Sequence, residues 1–191
     1  MTAKIKDLSS FAQNQALDGS DLRIGIVVAD WNPEVTAALL NGALSTLKDK
    51  GVDQEDIHVH HVPGSFELPQ AASLMITGMD LDAVICLGCI IQGETRHFEF
   101  IAQAVAQSSM QLGIETDVPV IFGVLTTDTH EQAKERAGGK HGNKGDEAAV
   151  AAIRMGRLHR EMLPAMDDFF ADEEDLYIDD ENNWFGEDDD E

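Results

Sequence analysis

His97 closes the polar run Gly93-Glu94-Thr95-Arg96-His97, which follows a wholly apolar stretch, Ala83-Val84-Ile85-Cys86-Leu87. An imidazole titrates near neutral pH and can both take and give a proton. A turn that enters a helix, as Gly93-Glu94-Thr95 does, presents unpaired backbone N–H groups able to hold a phosphate. Two other polar clusters also follow apolar runs: Trp31 with Asn32, and Gly64-Ser65-Phe66-Glu67. Phe122 lies within a fourth such run. Aromatic faces combined with backbone donors suit a flat heteroaromatic ring with amide edges. The chemistry these types allow is proton transfer beside a bound ring and a phosphate.

Such groups meet only if strands and helices alternate. The run 83–87, short and rich in branched residues, reads as a strand buried on both faces, with the glycine-containing turn starting at Gly88. After it, Phe98, Ile101, Ala102, Val105, Ser109 and Leu112 fall at the i, i+3, i+4, i+7 spacing of one helix face. Leu22 to Ala29 predicts a first strand. A helix from Pro33 to Lys50 follows, stopped by Gly51. Ile57 to Val62 predicts the second strand, and the next helix tolerates Pro69 in its first turn. Pro119 to Thr126 predicts the fourth strand. After it come a short helix over 129–137, a glycine-rich loop over 138–145 and an alanine-rich helix over 146–162. This rhythm predicts an α/β three-layer sandwich, a four-stranded parallel sheet flanked by helices on both faces. Its ligands belong at the carboxyl ends of the strands.

Of 191 residues, 43% are apolar, enough for one core. The net charge of −23 is unevenly placed. Residues 164–191 carry 14 of the 36 acidic residues and none of the 13 basic ones, leaving −9 on residues 1–163. The reading is therefore an arm at 1–21, a domain at 22–163, and an acidic tail at 164–191 that charge repulsion keeps extended or disordered. With no basic stripe, a nucleic-acid partner is not expected. With no run of some 18 apolar residues and no secretory leader at the start, neither is a membrane. A cytoplasmic location is the expectation.

Three apparent motifs predict no chemistry. Cys86 and Cys89 match a C-x-x-C pattern, but along a strand they stand about 10 Å apart, beyond disulfide reach, so they read as core thiols. His58 and His60 point opposite to His61 in a strand, so no metal is expected there. The loop at 138–145 fits no G-x-x-x-x-G-K-[ST] pattern, and no G-x-G-x-x-G follows the first strand. Residue chemistry alone stops at an α/β protein that binds a small anionic, heteroaromatic ligand.

Five blocks then agree in order and spacing. Ala29-Asp30-Trp31-Asn32, Val62 to Pro69, Gly88 to His97, Val120 to Thr127 and Gly142-Asn143-Lys144-Gly145 together resemble the 6,7-dimethyl-8-ribityllumazine synthase family. The resemblance spans about Leu22 to Leu158. It implies a flavodoxin-like fold. It also implies condensation of 5-amino-6-ribitylaminouracil with 3,4-dihydroxy-2-butanone 4-phosphate, a step of riboflavin synthesis that needs no cofactor. Carried across residue by residue, Trp31 would stack on the pyrimidine. Asn32, Ser65, Phe66, Glu67, Cys89, Ile90 and Ile91 would hold the ring and ribityl chain. Glu94 and Thr95 would hold the phosphate, and His97 would be the general acid and base. Phe122 and Arg136 would come from the neighbouring subunit of a homopentamer, which many members close into a 60-subunit shell. Trp31 departs from the family's usual Phe, Gln92 from its frequent Arg, and Glu94 sets a carboxylate beside the expected phosphate. The rival readings are a non-catalytic flavin- or lumazine-binding protein, or a shell-forming protein, of the same fold.

Overall fold

A computed structural model describes residues 17–162. The expected tail at 164–191 and most of the arm at 1–21 lie outside the described residues. Four strands, β1 (Ile24–Ala29), β2 (Ile57–Val62), β3 (Ala83–Ile91) and β4 (Val120–Thr127), form a parallel sheet in the order β2-β1-β3-β4. The helices are α1 (Pro33–Asp49), α2 (Leu68–Gly78), α3 (His97–Thr116), α4 (His130–Glu135) and α5 (Lys144–Met162). Between α4 and α5 lies an antiparallel hairpin, β5 (Ala137–Gly139) with β6 (Gly142–Asn143). Side-chain alternation along the strands divides the core in two. Ile24, Ile26, Val28, Ile85 and Leu87 pack with Leu39, Leu47 and Ile153 from α1 and α5. Val27, Ala29, Val84 and Cys86 pack with Leu68, Met75 and Val105 from α2 and α3. The three-layer α/β sandwich with a parallel sheet is thus the observed architecture.

Several element ends differ from the sequence expectation. β3 does not stop before Gly88 but continues to Ile91, because β4 pairs with it as far as Ile91↔Thr127. A ladder partner along its length keeps this segment extended despite the glycine. Gly88 serves packing instead: a Cβ there would lie 2.6 Å from Ser65 Oγ and 2.9 Å from Leu68 Cδ1. β1 begins at Ile24, although Leu22 is fully buried ahead of it. The glycine-rich stretch 138–145 is not a loop, since it holds the hairpin and the start of α5. Gly138 (φ 108°) and Gly142 (φ 77°) take the left-handed geometry that the hairpin needs. Asn143 fastens this region, donating from Nδ2 to Ala38 O (2.9 Å) and accepting from Gly145 N at Oδ1 (2.8 Å).

At the amino end of the sheet, Asp82 is buried at the start of β3. It accepts hydrogen bonds from Arg23 N (2.6 Å) and from Arg160 Nη2 (2.8 Å) in the last turn of α5. All the loops discussed next sit at the other end.

Candidate functional site

At the carboxyl ends of β1, β2 and β3 lies a cavity of about 380 Å³. From the loop after β1 come Trp31 and Asn32. The loop after β2 contributes Gly64, Ser65, Phe66 and Glu67. β3 and the turn beyond it contribute Cys89, Ile90, Ile91, Gly93 and Thr95, and α3 contributes His97, Phe98 and Ile101. A parallel sheet delivers these groups to one edge because every crossover returns the chain to the opposite end before the next strand begins.

Each loop has a local reason for its course. Trp31 N donates to Pro63 O (3.2 Å) and Asp30 N to Val62 O (2.8 Å), holding the first loop against the second. Asn32 adopts the left-handed conformation (φ 61°, ψ 55°), which Asn tolerates better than most residues. Its carbonyl then accepts from Val35 N and Thr36 N, starting α1. Ser65 is buried against Gly88, whereas Trp31 is 72% exposed and Phe66 57% exposed. Two large aromatic faces open to one cavity can take a flat ring between them. His97 opens α3, with its N–H 3.4 Å from Thr95 Oγ1. Glu99 N and Phe100 N donate back to Arg96 O (3.1 and 3.4 Å), closing the first turn of α3 beside the cavity.

The chain does not bring every expected residue into this cavity. Glu94 is exposed outside the lining. Phe122 stands on β4 opposite Cys86, three residues back from the partner of Cys89, or about 10 Å along the strand. It is 39% exposed on the sheet's edge. Arg136 follows α4, with Nη1 donating to Gln132 O (3.0 Å), and does not line the cavity. Within one chain, therefore, the four strand ends share one edge, but Phe122 lies too far back along β4 to reach the cavity. Conversely, Phe98 and Ile101 line the cavity although the sequence assigned them to the buried stripe of α3. Their signal was that same stripe, which runs from the core into the site without a break in pattern.

Cys86 and Cys89 are buried and unbridged. Burial pushes the Cys86 thiol up to about 12 and the Cys89 thiol up to about 11, from an ordinary value of 9.0. Well below pH 9 both groups are neutral in folded and unfolded chain alike, so burial then carries no ionic penalty. As pH rises through the window from 9 to 12, the unfolded chain ionises first and stability is lost. The urea midpoint of the wild type should therefore fall more between pH 8 and pH 10.5 than that of a Cys86→Ala/Cys89→Ala variant. Equal falls would show that the thiols do not carry this dependence.

The histidines at 58 and 61 pair with Gly25 and Val28 and so face opposite sides of the sheet, as alternation requires. His61 Nδ1 lies 2.9 Å from Asp30 Oδ1. Among the described residues no group of three His, Cys, Asp or Glu side chains could hold a metal ion. Nor, among them, is any helix long and apolar enough to cross a membrane.

Comparison with known proteins bears on the whole domain. The family model described as 6,7-dimethyl-8-ribityllumazine synthase matches residues 21–160. A protein of that name from Porphyromonas gingivalis is 50% identical over 160 residues, covering 84% of this chain and 99% of the relative. One from Bacteroides fragilis is 52% identical over 134 residues, covering 70% and 94%. One from Parabacteroides distasonis is 49% identical over 155 residues, covering 81% and 97%.

Proposed function

The chain belongs to the 6,7-dimethyl-8-ribityllumazine synthase family, and from that premise we propose how its residues carry the reaction. The enzyme condenses 5-amino-6-ribitylaminouracil with 3,4-dihydroxy-2-butanone 4-phosphate, releasing phosphate and water, in riboflavin biosynthesis. The observation that carries the assignment of roles is the single cavity in which His97 shares walls with Trp31 and Phe66.

In this reading Trp31 stacks on the pyrimidine. Asn32, Ser65, Phe66, Glu67, Cys89, Ile90 and Ile91 orient the ring and ribityl chain. Thr95 and the N–H groups of the 94–97 turn hold the phosphate, while the exposed Glu94 carboxylate points away from it. His97 takes and returns the protons that move when the amine attacks the ketone, when phosphate leaves and when the ring closes. Holding two substrates in register supplies much of the rate.

Phe122 and Arg136 complete the site from a neighbouring subunit, an arrangement supported by their distance from their own chain's cavity. The planar guanidinium of Arg136 suits phosphate oxygens. The assembly is a homopentamer, with a 60-subunit shell as its closed form. Exposed Phe100, Met110 and Ile114 along α3 support an interface, since monomers seldom leave such residues on one open helix face. Light scattering decides between ring and shell, and a monomer would end both. The domain at 22–163 carries the chemistry in the cytoplasm, with the tail outside it; the family match ends at residue 160.

The direct test mixes purified chain with both substrates and follows lumazine absorbance. Full-length chain and a chain ending at residue 163 should turn over alike. Absent turnover in the full chain would leave only a binding protein, and a shortened chain without turnover would bring the tail into the chemistry.

A further inference from the structure

The open end of β3 is closed by a side chain rather than by a strand. Val84 N and Gln92 N donate to Pro119 O (2.8 Å) and Thr127 O (2.9 Å), so even-numbered residues of β3 turn their backbone groups towards β4. A residue's N–H and C=O leave a strand on the same side and alternate along it. Those of Cys89 and Ile91 therefore face the β1 side. There β1 has already ended: its last partner on β3 is Leu87. The carbonyl of Cys89 would lose its ladder donor, and an unpaired buried carbonyl is costly.

Asn32 supplies the missing donor. Its Nδ2 lies 2.9 Å from Cys89 O, and a carbonyl only accepts, so the facing atom is the amide nitrogen. The side chain reaches this place because the Asn32 backbone is left-handed (φ 61°), which turns the chain out of β1. That same turn leaves the neighbouring Trp31 72% exposed at the cavity.

We infer that Asn32 is a positioning residue. Its amide continues the β1 ladder onto Cys89 and thereby fixes the angle at which Trp31 meets the incoming ring. The inference rests on the role proposed above for Trp31, but the brace itself exists in the ligand-free protein.

Asn32→Asp and Asn32→Gly test it in a Trp184→Phe background, which leaves Trp31 as the one indole of the chain. Both replacements accept a left-handed backbone, and both remove the N–H donor. Without ligand, Trp31 fluorescence anisotropy should fall in both variants. KM for the ribitylaminouracil substrate should rise about 10-fold, with kcat within about threefold of the parent. Unchanged anisotropy with a raised KM would make Asn32 a substrate ligand only and overturn the brace. Parental KM in Asn32→Gly would overturn it too. A parent protein that makes no lumazine, yet loses anisotropy in both variants, would refute the proposed reaction and leave the brace standing.

Discussion

His97→Ala is expected to slow lumazine formation by about 10²-fold or more, while KM for the ribitylaminouracil stays within a few-fold. His97 lines the cavity from the first turn of α3. The reaction moves protons at three stages, and among the described residues no other imidazole lines that cavity. Water can replace a missing proton carrier but is neither held in place nor matched in pKa. On the roles proposed above, the residual rate should remain well above the uncatalysed one, because Trp31, Phe66 and the 94–97 turn would still hold both substrates together. Steady-state kinetics followed by lumazine absorbance, with circular dichroism to confirm folding, measures this. A kcat within threefold of the wild type would remove His97 from proton transfer and leave it a lining residue.

Gly145→Ala should be the most damaging single methyl in the described core. An added Cβ would lie 1.9 Å from Leu39 O and 2.8 Å from Leu39 C, both backbone atoms of α1. Flexible side chains can move aside, but the backbone of a packed helix cannot. α1 and α5 would have to separate, straining the Asn143 bonds to Ala38 O and Gly145 N. Overpacking of this kind costs about 3 kcal/mol or more, a large share of the roughly 5–15 kcal/mol of a typical domain. Urea unfolding should show a lowered midpoint. Asn143→Ala, which creates no clash, should fall less. A Gly145→Ala midpoint equal to the wild type's would mean that the two helices can part without loss.

Both expectations depend on features that differ in how openly the sequence displays them. His97 could be singled out from the chain, because a strand-like run, a polar turn and a helical stripe fall in succession around it. Gly145 could not. Its role depends on the backbone of Leu39, more than a hundred residues earlier, and glycine in an alanine-rich segment resembles any other small residue. The hairpin at 137–143 was hidden for a related reason. Two and three residues are too few for alternation to register, and only pairing across the turn makes them strands.

What the chain by itself determined is local in origin: four branched apolar runs, the helix-spaced stripe from Phe98 to Leu112, and glycine, proline or asparagine where the chain must turn. Those patterns set the α/β class and the order of elements, because side-chain period follows directly from backbone geometry. Tertiary structure alone decided where the elements stop and which side chains meet. β3 runs past Gly88 because β4 lies alongside it. Asn32 serves β3 because β1 ends early. Phe122 stays out of the cavity of its own chain because strand register, not sequence order, sets its distance from it, and Arg136 stays out because it ends α4 with its guanidinium turned back onto Gln132 O. Pairing and close approach are properties of two segments at once, and no single stretch of sequence contains both.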